Sequence, residues 1–321
     1  MGREYTYAVA RIRAKEKDLL SGYDMERLIL AKTYDEAIKI LIEKGFNFDH
    51  AKSVEDFIKN ETEKTYSLVK KLAPKDIVLN IIFYEADFHN LKAAIKKELS
   101  GENLGNIFYD YGSVSKFLII DAVKMREFSQ LPDFLREIAE LSFRVFNETK
   151  DGELLECMID KAYLEEILAL GKKAKSNSIK NYCEIKVALL NLKIAARGQK
   201  NGKGKEFFQK ALAECESISV SSLTDVAALG KDELLDYIIK SPYSDAIEAF
   251  KHSGAAFEKW SEDRLMKEIK KEKYNQFTIA PIFSYLVAKR TEIKMIGLIL
   301  TIKKNNLATD ILKERLRELY V

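Results

Sequence analysis

Only four prolines interrupt these 321 residues, and between them apolar side chains recur at every third and fourth position. Phe88, Leu91, Ile95 and Leu99 form one such series, and Leu135, Ile138, Leu141 and Val145 form another. Proline removes a backbone donor and clashes with the preceding turn, so its scarcity lets helices run long. Three-four spacing gathers the apolar residues on one helical face, whereas a strand would alternate them. The chain is therefore predicted to be all-α. Phe117 to Ile120 (FLII) has the composition of a short strand, too short to change that class.

Punctuation agrees with long helices. Thr33 and Glu36 have the spacing of a capping box, and Ser241-Pro242 suits a cap followed by a first helical residue. Pro74 and Pro281 each precede a long apolar-periodic run. Breaks are predicted at SGENLGN (100–106), RGQKNGKG (197–204) and the Asn pair 305–306, where Gly and Asn favour turns.

The helices also repeat. Asn-Leu-Lys at 90–92 returns at 191–193, again inside an apolar run. KTYDEAIKIL (32–41) resembles SPYSDAIEAF (241–250), with Tyr34 matched by Tyr243 and Ala37-Ile38 by Ala246-Ile247. A third copy of the Asn-Leu-Lys helix fits in two registers. One sets Glu292-Ile293-Lys294 under Asn191-Leu192-Lys193; the other, three residues on, sets Glu292 under Asp87 and Met295 under Asn90. The second keeps the acidic and the apolar positions and is preferred. Three related helical units follow, 1–112, 113–215 and 216–321, each of small-domain size.

Charge and cysteine content exclude several classes. Lys and Arg number 53 against 50 Asp and Glu, interspersed, so the net charge of +3 supplies no strong field for nucleic acid. The first twenty residues carry Arg11, Arg13, Lys15, Glu16 and Lys17 and lack the apolar core of a secretory signal. No window approaches the ~18 apolar residues of a membrane span. IKMIGLILTIKK, from Ile293, reads as a buried helix. Cys157, Cys183 and Cys215 are odd in number and far apart, which fits reduced thiols in a cytosolic protein better than a disulfide framework or a zinc site.

Catalytic patterns are weak. His50, His89 and His252 show no metal-ligand spacing, and the carboxylates lie in mixed-charge helices where pairing at four residues explains them. Gly198, Gly202 and Gly204 miss the spacing of a phosphate-binding loop. Lys172, Lys173, Lys175, Arg197, Lys200, Lys203 and Lys205 place positive charge at mid-chain connections, suited to an acidic protein surface or to solubility. Trp260 lies in a predicted helix as a core or interface anchor. On a helical wheel Asp87 and Asn90 flank the apolar stripe on one side, and Lys92 and Lys96 on the other. Asn90, Lys92, Asn191, Lys193, Glu292 and Lys294 are therefore the candidate partner-binding residues. The plainer account of each is an Asn bonding a neighbouring helix end and a Lys reaching to water.

Four stretches together resemble a known family: YTYAVARIRAKEKDLLS, YEADFHNLKAAIKKELSG, MIDKAYLEEILALGKKAKS with the NLK helix after it, and YLVAKRTEIKMIGLILTIKKNNLATDILKERLRELYV. In order, spacing and total length they are similar to the C subunits of archaeal- and bacterial-type V-type ATPases and ATP synthases, the counterparts of the eukaryotic d subunit. Met295 and Gly297 depart from the family's usual Asn and Arg, and Ala188 stands where the first copy is acidic. The resemblance implies an all-helical, pseudo-threefold funnel and a non-catalytic rotor part without a cofactor. Its implied partners are the central shaft, subunits D and F, and the membrane proteolipid ring, at the cytoplasmic face, linking ATP hydrolysis or synthesis to H+ or Na+ transport. A polar-lined socket is expected, and one large apolar groove would count against it. The competing readings are a helical-repeat adaptor with a concave groove and, last, an all-helical enzyme.

Overall fold

A computed structural model describes residues 5–49, 51–73, 76–101, 107–307, 312 and 315–321. Among them are fifteen α-helices, two 3-10 turns and no strand, as the spacing predicts. The helices are α1 (Thr6–Glu16), α2 (Gly22–Leu30), α3 (Tyr34–Glu43), α4 (Val54–Leu72), α5 (Asn80–Ser100), α6 (Lys116–Met125), α7 (Asp133–Thr149) and α8 (Gly152–Lys173). They continue as α9 (Asn177–Lys200), α10 (Lys205–Ala211), α11 (Val220–Leu229), α12 (Lys231–Lys240), α13 (Ile247–His252), α14 (Gly254–Lys270) and α15 (Ala280–Lys304). The helices gather into two compact units.

The first unit comprises Met1–Asp76, Lys175–Ile179 and Glu248–Val321. Its axis is α15, which packs chiefly on α4, with α1, α3 and α14 alongside. This helix is buried at nearly every position from Ala280 to Lys289 and on most faces beyond, as expected of one that is apolar all round. Around its C-terminal half lie Leu20, Met25, Leu28, Leu41, Phe46 and Phe57, and Phe48 stacks on Phe57 with ring centroids 4.4 Å apart. Met295 is part of this core. Gly297 lies where a Cβ would run into the end of Ile58. Both departures from the family pattern are thus absorbed in packing.

Two buried polar side chains of α15 hold the ends of α2. Glu292 Oε1 accepts the Leu20 N–H at 2.6 Å, just before α2. Lys303 Nζ donates to the carbonyls of Ile29, at 2.6 Å, and Ala31, at the far end. A carboxylate at the start of a helix and an ammonium at its end both complement its dipole.

The second unit comprises Ile77–Ala174 and Lys180–Ile247. Here α5 packs on α6, α7 and α8, and α8 continues the packing to α10 and α11 to α12. Phe88, Leu91 and Ile95 are buried and Leu99 is half-buried. In α7 the buried face runs through Leu135, Ile138, Ala139, Ser142 and Phe143, whereas Leu141 is exposed. The stripe turns with the true 3.6-residue period, which leaves position 141 outside. FLII forms the first turns of α6, because its length suits a helix in a chain that offers no strand to pair with among the described residues.

The caps divide similarly. Thr33 Oγ1 accepts the Glu36 N–H, and the Glu36 carboxylate takes the Lys32 N–H. Pro281 stands at the start of α15 as expected. Ser241 instead ends α12, donating to the Ile238 carbonyl, and a 3-10 turn precedes α13. The match of 32–41 with 241–250 persists in burial: Ala37 and Ala246 are both fully buried, with exposed residues before them and half-buried isoleucines after. The break at 305–306 is present, with Asn306 at φ 51°; α9 runs on to Lys200, so the second break shrinks to 201–204 around Gly202. Gly101, at φ 68°, ends α5. Pro74, His50 and 102–106 of the first break lie outside the described residues.

Asp24 in α2 gives a pH test. Its burial raises the carboxyl, but hydrogen bonds from Lys44 and Ser21 outweigh that and hold it below the ordinary 3.8. A carboxylate depressed on folding contributes stability above the unfolded value, and loses it as pH falls through the folded one. The advantage of the wild type over Asp24→Asn in urea midpoint should therefore be fullest at pH 6 and shrink below about pH 3.8.

Candidate functional site

Three long helices, α5, α9 and α15, carry the repeated stretch, and in each a carboxylate holds the chain that leads into a short helix. Asp87 of α5 is fully buried and accepts from Ser113 N (3.0 Å), Ser113 Oγ (2.5 Å) and Val114 N (3.0 Å), immediately before α6. Glu184 of α9 accepts from Glu216 N (2.9 Å) and Ser217 N (2.7 Å), before α11. Glu292 of α15 takes Leu20 N, before α2. Hydrogen bonds to a charged acceptor are the stronger kind, and each lies at the positive end of a helix dipole. The lead-ins share a small signature, an apolar residue followed by the N-cap serine: Leu20-Ser21, Val114-Ser115 and Ile218-Ser219.

The asparagines of the echo do equivalent work. Asn90 donates to the Tyr109 carbonyl at 2.9 Å and accepts from its N–H at 2.8 Å. Asn191 does the same to Ala213, at 2.7 and 3.0 Å. A side-chain amide here substitutes for a neighbouring strand, satisfying one residue's donor and acceptor together. Both clasped segments run back along their long helix, past Asn and then the acid, into the next short helix. Gly112 lies under the Asp87 carboxylate, where a Cβ would collide with it.

Of the six candidate residues, Asn90, Asn191 and Glu292 are thus buried and bonded inside the fold. Lys92 is half-buried with its ammonium 2.7 Å from Asp160, whereas Lys193 and Lys294 are exposed, Lys294 paired with Glu262. In the third copy, at the preferred register, Met295 stands in place of the clasping Asn and packs in the core. Glu184, absent from the six, lies one turn before Ala188 and supplies the acid that Ala188 lacks. The apolar-Ser signature would have pointed to it.

Electrostatics adds a second device in α5 and α9. Lys186 Nζ is 3.0 Å from Glu85 Oε2 and 2.6 Å from the Tyr163 hydroxyl, and Glu85 and Lys186 occupy the same position of the two sequence copies. Burial, opposed in part by Lys186, pushes the Tyr163 hydroxyl well above its ordinary range. Glu292 is also pushed up by burial, against the pull of Lys289 and the Leu20 amide. Lys289 and Glu292 form a buried ion pair, with the Lys289 ammonium 4.5 Å from the Phe46 ring centre.

Reactive chemistry does not gather around these groups. Burial raises the Cys157, Cys183 and Cys215 thiols to about 11, 12 and 11, far from the range of a nucleophilic thiolate. His89 bonds the Ile107 carbonyl at 2.9 Å and His252 is exposed. Lys172, Arg197, Lys203 and Lys205 each face a carboxylate, and Trp260 is half-buried, stacked on Phe257. Between α2 and the C-terminal residues lies an open groove of about 580 Å³, whose wall is mainly Met25, Ile29, Leu30, Leu316, Leu319 and Val321, with Gly22, Glu26 and Arg317 beside them. Its apolar wall runs against the expectation of polar lining.

The buried clasps and the exposed lysines should separate cleanly in stability. Asn191→Ala leaves the Ala213 amide and carbonyl without partners and should cost about 2–4 kcal/mol in urea unfolding. Lys193→Ala, two residues on and exposed, should stay within about 0.5 kcal/mol.

Comparison with known proteins places this architecture. A model of the ATP synthase (C/AC39) subunit family matches residues 8–315. The C subunit of the V-type sodium ATPase of Enterococcus hirae is 24% identical over 325 residues, covering 99% of each chain. The C subunits of the A-type ATP synthases of Desulfurococcus sp. (strain SY) and Methanosarcina acetivorans are each 21% identical, over 97% of this chain and 90% and 92% of theirs. No helix among the described residues is long and apolar enough to cross a membrane. With the match spanning nearly its whole length, the chain belongs to the ATP synthase (C/AC39) subunit family.

Proposed function

We propose that this chain is a non-catalytic coupling part of the rotor. It joins the central shaft, subunits D and F, to the membrane proteolipid ring at the cytoplasmic face, and so links ATP hydrolysis or synthesis to H+ or Na+ transport. Torque crosses such a part only if its pieces neither slip nor twist. The observation that carries the reading is the thrice-used carboxylate grip, which ties a long helix to the segment before a short one.

The grips also support three repeats, 1–112, 113–215 and 216–321, arranged as a pseudo-threefold funnel. Asp87 of the first repeat holds residues 113 and 114, which begin the second; Glu184 of the second holds 216 and 217, which begin the third; Glu292 of the third holds Leu20 of the first. Among the six candidates, Lys92, Lys193 and Lys294 are the residues proposed for direct partner contact. Asn90, Asn191 and Glu292 act through the segments they hold.

The apolar groove beside α2 favours a second reading, an adaptor that takes a partner helix or tail there. Co-purification separates the two. The isolated chain should bind one copy of the D–F shaft and, separately, one detergent-solubilised proteolipid ring, with no ATPase activity of its own. Failure to bind either one would overturn the coupling reading in favour of the adaptor.

A further inference from the structure

Within the first unit, residues 316–321 form neither helix nor strand, yet they are seated against three helices. Their polar contacts run along α14 and into the loop after it. Arg317 Nε lies 2.5 Å from Glu262 Oε2, the Glu318 N–H donates to Asp263 Oδ1 at 2.6 Å, and Lys270 pairs with Glu318 at 2.9 Å. Beyond α14, the Lys273 ammonium lies 4.7 Å from the centre of the Tyr320 ring.

The apolar side chains of the same segment point elsewhere. Leu316 and Leu319 pack on the core that holds Met25 and Leu28 of α2, and with Val321 they face Met25, Ile29 and Leu30 across the groove. The segment therefore sits as a bound peptide would, with charged residues on one helix and apolar residues on another. α15 holds α2 by its two ends; this segment covers its flank.

The seating is incomplete at one point. Tyr320 and Glu16 are 4% and 8% exposed, and Arg13 and Glu16 stand beside the Tyr320 hydroxyl. Even so, neither that hydroxyl nor Glu16 Oε1 has a hydrogen-bond partner among the described residues. A buried polar atom left unbonded opposes the contact that buries it. The Lys270–Glu318 pair is about one-third exposed and contributes little against that. Segments with few backbone bonds and few buried contacts open locally, without the rest of the domain.

We propose that residues 316–321 are a releasable strap, which when seated covers and braces the apolar flank of α2 and when released uncovers Met25 and Ile29. Arg317, Leu316 and Leu319 favour the seated state, and the unbonded Tyr320 hydroxyl favours release. The device lies within one unit and stands whether or not the chain couples a shaft to a ring.

Amide hydrogen exchange on the full chain, resolved to single residues, tests it. The reporter is the Glu318 amide, which is bonded to Asp263 only while the strap is seated. In the wild type it should be protected, yet exchange at least about tenfold faster than amides in the middle of α14. Tyr320→Phe keeps the ring that Lys273 faces and removes the hydroxyl, so protection at Glu318 should rise about threefold. Arg317→Ala leaves Glu262 its partner Lys294. It should lower protection at Glu318 about tenfold and in α2 about threefold, with α4 unchanged. Circular dichroism checks that each variant folds; if Arg317→Ala does not, Tyr320→Phe decides alone. A Glu318 amide as slow as the middle of α14 would overturn the proposal, since the strap would then open only with the whole unit. Protection lowered by Tyr320→Phe would overturn it by showing the hydroxyl to be bonded. Protection lost at Glu318 but unmoved in α2 would overturn the bracing.

Discussion

A buried or half-buried carboxylate accepting one or two backbone N–H groups from the chain before a helix is the interaction on which this structure depends. Asp87, Glu184 and Glu292 each make it, from three different long helices. Burying a carboxylate is costly, and the cost is offset only when its oxygens are fully engaged. Asp87 engages three donors, and Glu292 adds Lys289 to the Leu20 amide. An apolar contact could slide by a fraction of a turn with little penalty. A charged acceptor fitted to particular amides cannot, so the grip fixes register where packing alone would leave slack.

Stiffness follows from combining such grips with long helices. The helix α15 has 25 residues and is surrounded by side chains along most of its length, and close-packed interiors transmit strain with little compression. The short helices then inherit the rigidity of the long ones. In α2 the hold is double, since Glu292 fixes the entry and Lys303 the exit. The buried polar groups Asp87, Asn90, Asn191 and Glu292 serve position, each bonded to the backbone of a neighbouring segment.

Much of this was legible in the sequence, for identifiable reasons. Helical class came through because proline scarcity and three-four spacing act locally. The repeat of Asn-Leu-Lys was visible because Asn90 and Asn191 perform the same clasp at the same place in their helices. Their partners were not visible, because Tyr109 and Ala213 contribute only backbone atoms, which leave no mark on side-chain identity. Glu184 was missed for a related reason: the second lead-in reaches one turn further along its helix than the first, so alignment by residue pointed to Ala188. FLII and Leu141 misled because composition and consecutive three-residue steps ignore tertiary demand and the drift of a 3.6-residue period.

The central claim is mechanical, and it is tested by rebuilding the ATPase complex with and without this chain while recording ATP hydrolysis and ion uptake together. A coupling part predicts that, without the chain, hydrolysis by the remaining subunits continues and uptake disappears, and that both return in fixed ratio when it is restored. Ion uptake undiminished by its omission would contradict the account.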